Sequence, residues 1–237
     1  RVLGPDINES MRTFSSNKAG DVRFGLGAVK GVGEAAVESI IAERNANGRF
    51  KDIYDLMERV NFSAVNRKCF ENLAYAGGFD SISGFHRGKF FGADARDNTG
   101  VTFIEQLMRY GQRFQAEKNN AQQSLFGGGH VDIQRPVLPA CADWSQLETL
   151  AKEREMIGLY LSAHPLDDYK IIINHMCKTQ LTELENLEAL KGQEIAVAGM
   201  VVSVQNLITK TGKPWGKFVL EDYNGTHEFA LFGKDYE

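Results

Sequence analysis

The sequence predicts an α+β protein, a mostly α-helical domain followed by a small β-barrel of which only the first strands are present. Three observations carry that prediction. From Ala36 to Met176 apolar residues recur at three- and four-residue spacing, the period of one face of a helix. From Gly192 onward the period changes to two, with β-branched and aromatic residues prominent. Within the helical region lie a glycine pair and a polar, glycine-rich stretch that punctuate the chain.

Residues 1–25 hold few periodic apolar positions and read as an irregular lead-in from a preceding region. Val22, Phe24 and Leu26 alternate with Arg23 and Gly25, which predicts a short strand. The next stretch, LGAVKGVGEAAVESII over residues 26–41, is the one the rest is organised around. A Gly-x-Gly turn (Gly31, Val32, Gly33) opens a helix in which Ala36, Val37, Ile40, Ile41 and Arg44 recur at helical spacing. Glycine permits torsions other residues avoid and lets a phosphate come close to the backbone. The amides of Gly33 and its successors stand at a helix N-terminus, where unpaired donors and the helix dipole favour an anion. Lys30 adds a charge beside them. Lys30, Gly31, Val32 and Gly33 are therefore candidate contacts to duplex phosphates. This is the logic of a helix-hairpin-helix, which grips the backbone without reading bases. A dinucleotide-binding fingerprint fits less well, because it needs a third glycine where Ala36 stands.

The first helix should stop at Asn47-Gly48. Asp52 can cap a helix carrying Ile53, Leu56, Met57 and Val60, and Ser63 can cap another carrying Val65, Cys69, Leu73 and Ala76. Gly77-Gly78 is open to two readings. It is a helix C-cap, or it joins the basic segment beyond it as a second, degenerate hairpin that adds Gly77, Gly78, Arg87 and Lys89 to the duplex contacts. Phe103, Leu107, Tyr110 and Phe114 predict a helix from Thr102 to about Lys118, so the tandem hairpin domain spans 26–118.

Residues 119–142 change character. An uncharged polar run precedes the isolated apolar pair Leu125-Phe126 and three glycines, so a mobile surface segment is expected. A helical linker follows over 143–190. Asp143 with Gln146 resembles a capping box for a helix carrying Leu147, Leu150, Ala151, Arg154 and Ile157, broken at Ser162-Ala163-His164-Pro165. Glu153, Arg154 and Glu155 are expected to form surface pairs of little energetic weight. No nucleophile or carboxylate pattern surrounds His164, which reads as a structural turn residue. Tyr169, Ile172, Ile173 and Met176 mark one more helix.

Residues 191–237 form the β region. Ile195 to Val204 is apolar on both faces, as in a small barrel. A lysine-rich turn leads to a second strand from Trp215 to Leu220, and Asn224-Gly225 predicts a hairpin into a third. Three strands with a basic hairpin resemble the front of an OB-fold, where rings stack on any base and lysines track phosphates. Lys210, Lys213, Trp215 and Lys217 are candidate single-strand contacts, while Phe218 reads as barrel core. Trp215 suits either place. An OB barrel has five strands, so this one is expected to be truncated.

Composition narrows the function classes. Of 237 residues, 43% are hydrophobic and 24% charged, ordinary for a globular protein. With 27 basic and 31 acidic side chains the net charge is −4, which argues against a strongly basic nucleic-acid binder acting alone. No apolar run approaches the ~20 residues of a membrane span. There is no signal peptide, and Arg1 in place of Met suggests a piece of something longer. Cys69, Cys141 and Cys177 are widely spaced and odd in number, as expected of reduced cytoplasmic thiols rather than a disulfide framework. The five histidines do not fall at metal-ligand spacing.

Three separate stretches share one resemblance. GLGAVKGVGEAAVESII with VNRKCFENLAYAGGFDSI resembles the tandem helix-hairpin-helix region of the bacterial replicative DNA polymerase III alpha subunit. ETLAKEREMIGLYLSAHPLDDY resembles that family's linking segment, and GQEIAVAGMVVSV through TKTGKPWGKFVLEDYNGTHEFALF its OB domain. The resemblance implies a C-terminal part of a DNA-directed DNA polymerase, a nucleotidyltransferase of DNA replication. The family's catalytic palm holds two Mg²⁺ ions on aspartates. No matching carboxylate motif stands here, so no cofactor, no metal and no polymerase activity are expected of this segment. The implied partners are double- and single-stranded DNA, other replicase subunits through the parent, and the sliding clamp. Gln122, Ser124, Leu125 and Phe126 resemble the family's clamp-binding pentapeptide, in which a glutamine amide hydrogen-bonds and the apolar pair fills a pocket.

A reading from another class is an RNA- or tRNA-binding OB module of the kind appended to aminoacyl-tRNA synthetases. LEDYNGTHEFALF suits such a barrel. The hairpin and the Gln-x-x-Leu-Phe segment are not expected there, and preference for a tRNA stem over primed DNA would favour it.

Overall fold

The computed structural model describes residues 1–93, 100–123 and 133–236. The chain forms two compact units, Arg1–Ser162 and Ala163–Glu237. No helix among the described residues is long and apolar enough to cross a membrane.

The first unit opens with a small sheet of two-residue strands, β1 (Val2–Leu3), β2 (Ser15–Ser16) and β3 (Val22–Arg23). Their order is β1-β3-β2, with β1 parallel and β2 antiparallel to the central strand. A 3₁₀ turn at Leu26–Ala28 leads to α1 (Glu34–Asn47), which ends at Gly48 with φ +81°. Asp52 caps α2 (Ile53–Arg59) through the Asp55 amide at 2.7 Å, as expected.

The start of α3 differs from expectation. Asn61 accepts the Ser63 amide on its side chain and the Ala64 and Val65 amides on its carbonyl, making a turn of that segment. The helix α3 (Arg67–Tyr75) therefore begins later, with Asn66 and not Ser63 as its cap, 3.0 Å from the Cys69 amide. After the short α4 (Asp80–Ser83) and a 3₁₀ turn at Arg87–Phe91, α5 runs over Phe103–Gln123. Thr102 and Glu105 exchange bonds at its start, a reciprocal cap. It passes the expected end at Lys118 because residues 119–123 contain neither glycine nor proline.

Helix α6 (Gln146–Ile157) is capped by Ser145 and not by Asp143, whose carboxylate pairs instead with Lys89. It ends at Gly158, with φ +89°, before the predicted stop at Ser162-Ala163-His164-Pro165.

The core of this unit includes Leu26, Val37, Ile40, Phe50, Leu56, Met57, Phe70, Leu73, Phe79, Phe90, Phe103 and Leu107, all buried in one cluster. Each such side chain contributes about 1.5–3 kcal/mol by leaving water. One polar residue of the α1 face is buried with them. The Arg44 guanidinium donates to the carbonyls of Ile7 and Ser10 at 2.9 and 3.0 Å, tying the lead-in to α1.

The second unit holds α7 (Lys170–Met176) and a meander of β4 (Met200–Ile208), β5 (Pro214–Glu221) and β6 (Thr226–Phe232) in the order β4-β5-β6. Both pairings are antiparallel. Strand β4 starts at Met200, five residues after the expected Ile195. The β4–β5 turn is closed by Thr209 and Lys213, with Gly212 at φ +80°. In the β5–β6 turn the Asp222 carboxylate accepts the Asn224 and Gly225 amides. A 3₁₀ turn at Leu181–Glu185 packs on β6 and buries Leu181 and Leu184. The protein is thus α+β, a helical hairpin domain followed by a three-stranded antiparallel sheet, consistent with a partial OB-like fold.

A candidate nucleic-acid interface at the first hairpin

The 3₁₀ turn, residues 29–33 and α1 form the first hairpin. Gly31 has φ +74°, and a Cβ there would fall 2.3 Å from Nδ2 of Asn72, so both torsion and space require glycine. Gly33 is the N-cap of α1, no side chain caps it, and a Cβ there would meet nothing within 4 Å. Gly33, Glu34 and Ala35 are exposed, so amides without intrahelical partners face open space. Val32 between the glycines is buried and anchors the turn in the core.

The hairpin is held on both sides through one residue. The Lys30 amide donates to the Met156 carbonyl of α6 at 2.9 Å. Its carbonyl accepts from Asn72 of α3 at 2.8 Å. The acid in the first turn, Glu34, would repel an anion, but Arg12 pairs with it and also reaches Glu38 at 3.4 Å. A cation that sequence reasoning missed completes the surroundings. Cε of Lys68, in the first turn of α3, stands 3.7 Å from the Cβ position of Gly31. Lys30 and Lys68 are exposed and form no ion pair or hydrogen bond through their side chains among the described residues. The available signal was Lys68 and Asn72 four residues apart on one helix face, but nothing local ties that face to Gly31.

The second proposed hairpin takes the other course. Gly77 and Gly78 are buried, and Gly77 has φ +82° as the C′ residue of α3. The Gly78 amide bonds to the Leu73 carbonyl at 2.8 Å and the Gly77 amide to that of Ala74 at 3.1 Å, a Schellman cap. Arg87 covers Gly77, whose Cβ would lie 2.2 Å from the guanidinium. Its side chain, 11% exposed, pairs with Asp80 at 2.6 Å and Glu153 at 3.0 Å. Lys89 is engaged with the Cys141 carbonyl and with Asp143. Gly77, Gly78, Arg87 and Lys89 are therefore all engaged within the protein, the C-cap reading of the glycine pair.

Glu153 corrects the expectation most sharply. It is 1% exposed and accepts from the Leu161 amide (2.7 Å), the Ser162 amide (2.9 Å), the Ser162 hydroxyl and Arg87. Burial alone would raise its carboxyl, but the Ser162, Leu161 and Arg87 bonds together hold it below the ordinary glutamate value. A cleft of about 190 Å³ opens beside this pair, lined also by Arg23 and Asp80. Arg23 in its lining pairs with Glu9.

On the sheet, Trp215 and Lys217 share a face with Glu228 and Phe232. Trp215 stacks on Phe232 at 4.9 Å with the rings 9° apart, and Phe232 is exposed. Lys217 pairs with Glu228 at 2.9 Å, so its charge is already engaged within the sheet. Lys210 and Lys213 are exposed in the turn. Phe218 lies on the opposite face, stacked with Phe229 at 5.1 Å. His164 accepts the Leu166 amide and packs at a tilt against Tyr223, rings 4.3 Å apart, a turn role. Of the clamp motif, Gln122 falls in the last turn of α5, and Ser124, Leu125 and Phe126 lie outside the described residues.

A family model described as the helix-hairpin-helix motif matches residues 1–90. Relatives then extend over the whole chain. It is 35% identical over 240 residues to the DNA polymerase III subunit alpha of Haemophilus influenzae, covering 100% of this chain and 20% of that protein. The subunits of that name from Escherichia coli K12 and Mycobacterium tuberculosis H37Rv are 34% identical over 98% and 99% of the chain, each covered to 19%. The chain is therefore a relative, along its full length, of one segment of the DNA polymerase III alpha subunit, and it spans about a fifth of those proteins. The tRNA-binding alternative gains nothing from these relationships.

Proposed function

We propose that this chain is a DNA-holding, non-catalytic segment of a replicative DNA-directed DNA polymerase, working in the cytoplasm. The observation that carries the proposal is the uncapped Gly31-Val32-Gly33 turn, braced by α3 and α6, in a chain related throughout to polymerase III alpha subunits. The first-turn amides of α1 hold duplex phosphates, with Lys30 beside them. The exposed Lys210 and Lys213, with the Trp215–Phe232 stack, offer a single strand a basic turn next to an aromatic surface. Gln122 to Phe126 is the segment for the sliding clamp, a reading that rests on the sequence. Catalysis and its Mg²⁺ ions belong to other parts of the parent, as do contacts with other replicase subunits.

Two measurements test this reading. Duplex binding should weaken with salt at a log–log slope of about −0.9 per neutralised phosphate, a shallow slope for a few contacts. Salt-independent binding would remove the hairpin as a phosphate grip. A purified bacterial sliding clamp should bind the chain, and Leu125→Ala/Phe126→Ala should abolish that binding. Burying the pair yields roughly 3–6 kcal/mol before ordering costs, so affinity should be modest until DNA tethering raises the effective concentration.

A further inference from the structure

We propose that Lys68 of α3 is a second phosphate contact of the first hairpin, so that the grip is built from two helices rather than from one turn. The inference rests on the duplex-binding reading of that hairpin. Its grounds are geometric. Lys68 and Lys30 flank Gly31, where positive φ and the absent Cβ leave the backbone bare. Both ammonium groups are exposed and without protein partners among the described residues, whereas the neighbouring cations are engaged. Arg67 pairs with Glu71 and Glu105, Arg12 with Glu34 and Glu38, and Arg87 with Asp80 and Glu153. Asn72, one turn beyond Lys68, fixes the separation between α3 and the hairpin through its bond to the Lys30 carbonyl. Lys68 therefore meets the same phosphate run as the amides at no cost in broken ion pairs. An ammonium serves here as a point charge and suits any sequence, in keeping with backbone contacts that position a duplex without reading it.

The experiment compares the full chain with Lys68→Met, Lys68→Arg and Lys30→Met on a short mixed-sequence duplex across a salt series. Thermal melting is recorded for each. Methionine keeps the aliphatic stem beside Gly31 and removes only the charge. Lys68→Met should lower the log–log salt slope by about 0.9 with the melting temperature unchanged, and Lys68→Arg should restore it. A slope reduced by Lys30→Met and left intact by Lys68→Met would overturn the role of Lys68 while the hairpin reading stands. Wild-type binding without salt dependence would remove both. A melting temperature that falls with the slope would also overturn the proposal, since the effect would then come from loss of structure.

Discussion

At the residue scale, Glu153 shows how a charge that reads as surface decoration organises a segment. Four donors converge on it, and two are the amides of Leu161 and Ser162 at the end of the first unit. Glu153→Gln keeps the shape and removes the charge that Arg87 faces. Breaking one side of a buried pair costs about 3 kcal/mol or somewhat more, even with Asp80 still holding Arg87, so melting should drop by roughly 6–12 °C. The pH dependence has a definite sign. Because the folded carboxyl lies below its ordinary value of 4.5, its stabilisation is complete above that value and is lost as pH falls through the depressed one. Acid melting curves of wild type and Glu153→Gln should therefore converge as pH drops, and parallel curves would refute the ionised carboxylate. No local pattern betrays Glu153. Its partners lie eight, nine and sixty-six residues away, and in sequence it is one of four adjacent charges, 152–155, on a helix.

At the element scale, α5 is shaped by a residue that weakens it as a helix. Gly111 lies against α2, where a Cβ would come 2.4 Å from the Met57 carbonyl and 2.7 Å from the Phe62 ring. One turn on, Gln115 donates to the Met57 and Val60 carbonyls at 3.2 and 2.8 Å, satisfying the end of α2. Propensity alone says Gly111→Ala stabilises by about 1 kcal/mol. The close approach says the reverse, with overpacking costing about 1–3 kcal/mol. Denaturant unfolding of Gly111→Ala decides, and a higher midpoint would sink the packing argument. Legibility divides along the same line. The periodic stripes of α1, α2 and α3 and the Gly48 stop were readable, because a buried face and a positive-φ end are written locally. Four helix boundaries were not, the end of α5 among them. Asn66 over Ser63 and Ser145 over Asp143 were decided by competing bonds, from the Ser63 amide to Asn61 and from Lys89 to the Asp143 carboxylate. The end of α6 lay at Gly158, a stop the proline downstream concealed.

At the scale of the molecule, the large core belongs to the first unit, while the second buries Leu166, Leu181 and Leu184. Strand β4 leaves Val204 65% and Ile208 75% exposed. Residues 1–162 should therefore fold alone, with the helical content and cooperative melting of that part of the chain, which circular dichroism of the fragment measures. A fragment that melts without a sigmoidal transition would show that the second unit is required. The order of the fold, helices then strands, was legible from the change of hydrophobic period. The candidate site was legible only in half. Gly31 and Gly33 announce themselves, whereas Lys68 joins them through the packing of α3, and the glycine pair at 77–78 offered the same local signal for a different purpose.

The bracing of Lys30 carries a consequence in time. One of its backbone bonds awaits Asn72 and the other awaits Met156, more than a hundred residues downstream. On a ribosome adding about 5–20 residues per second, that second partner emerges on the order of 10 s after the hairpin itself. The early-made hairpin is thus completed late in synthesis, and a nascent chain has no finished hairpin until α6 has docked.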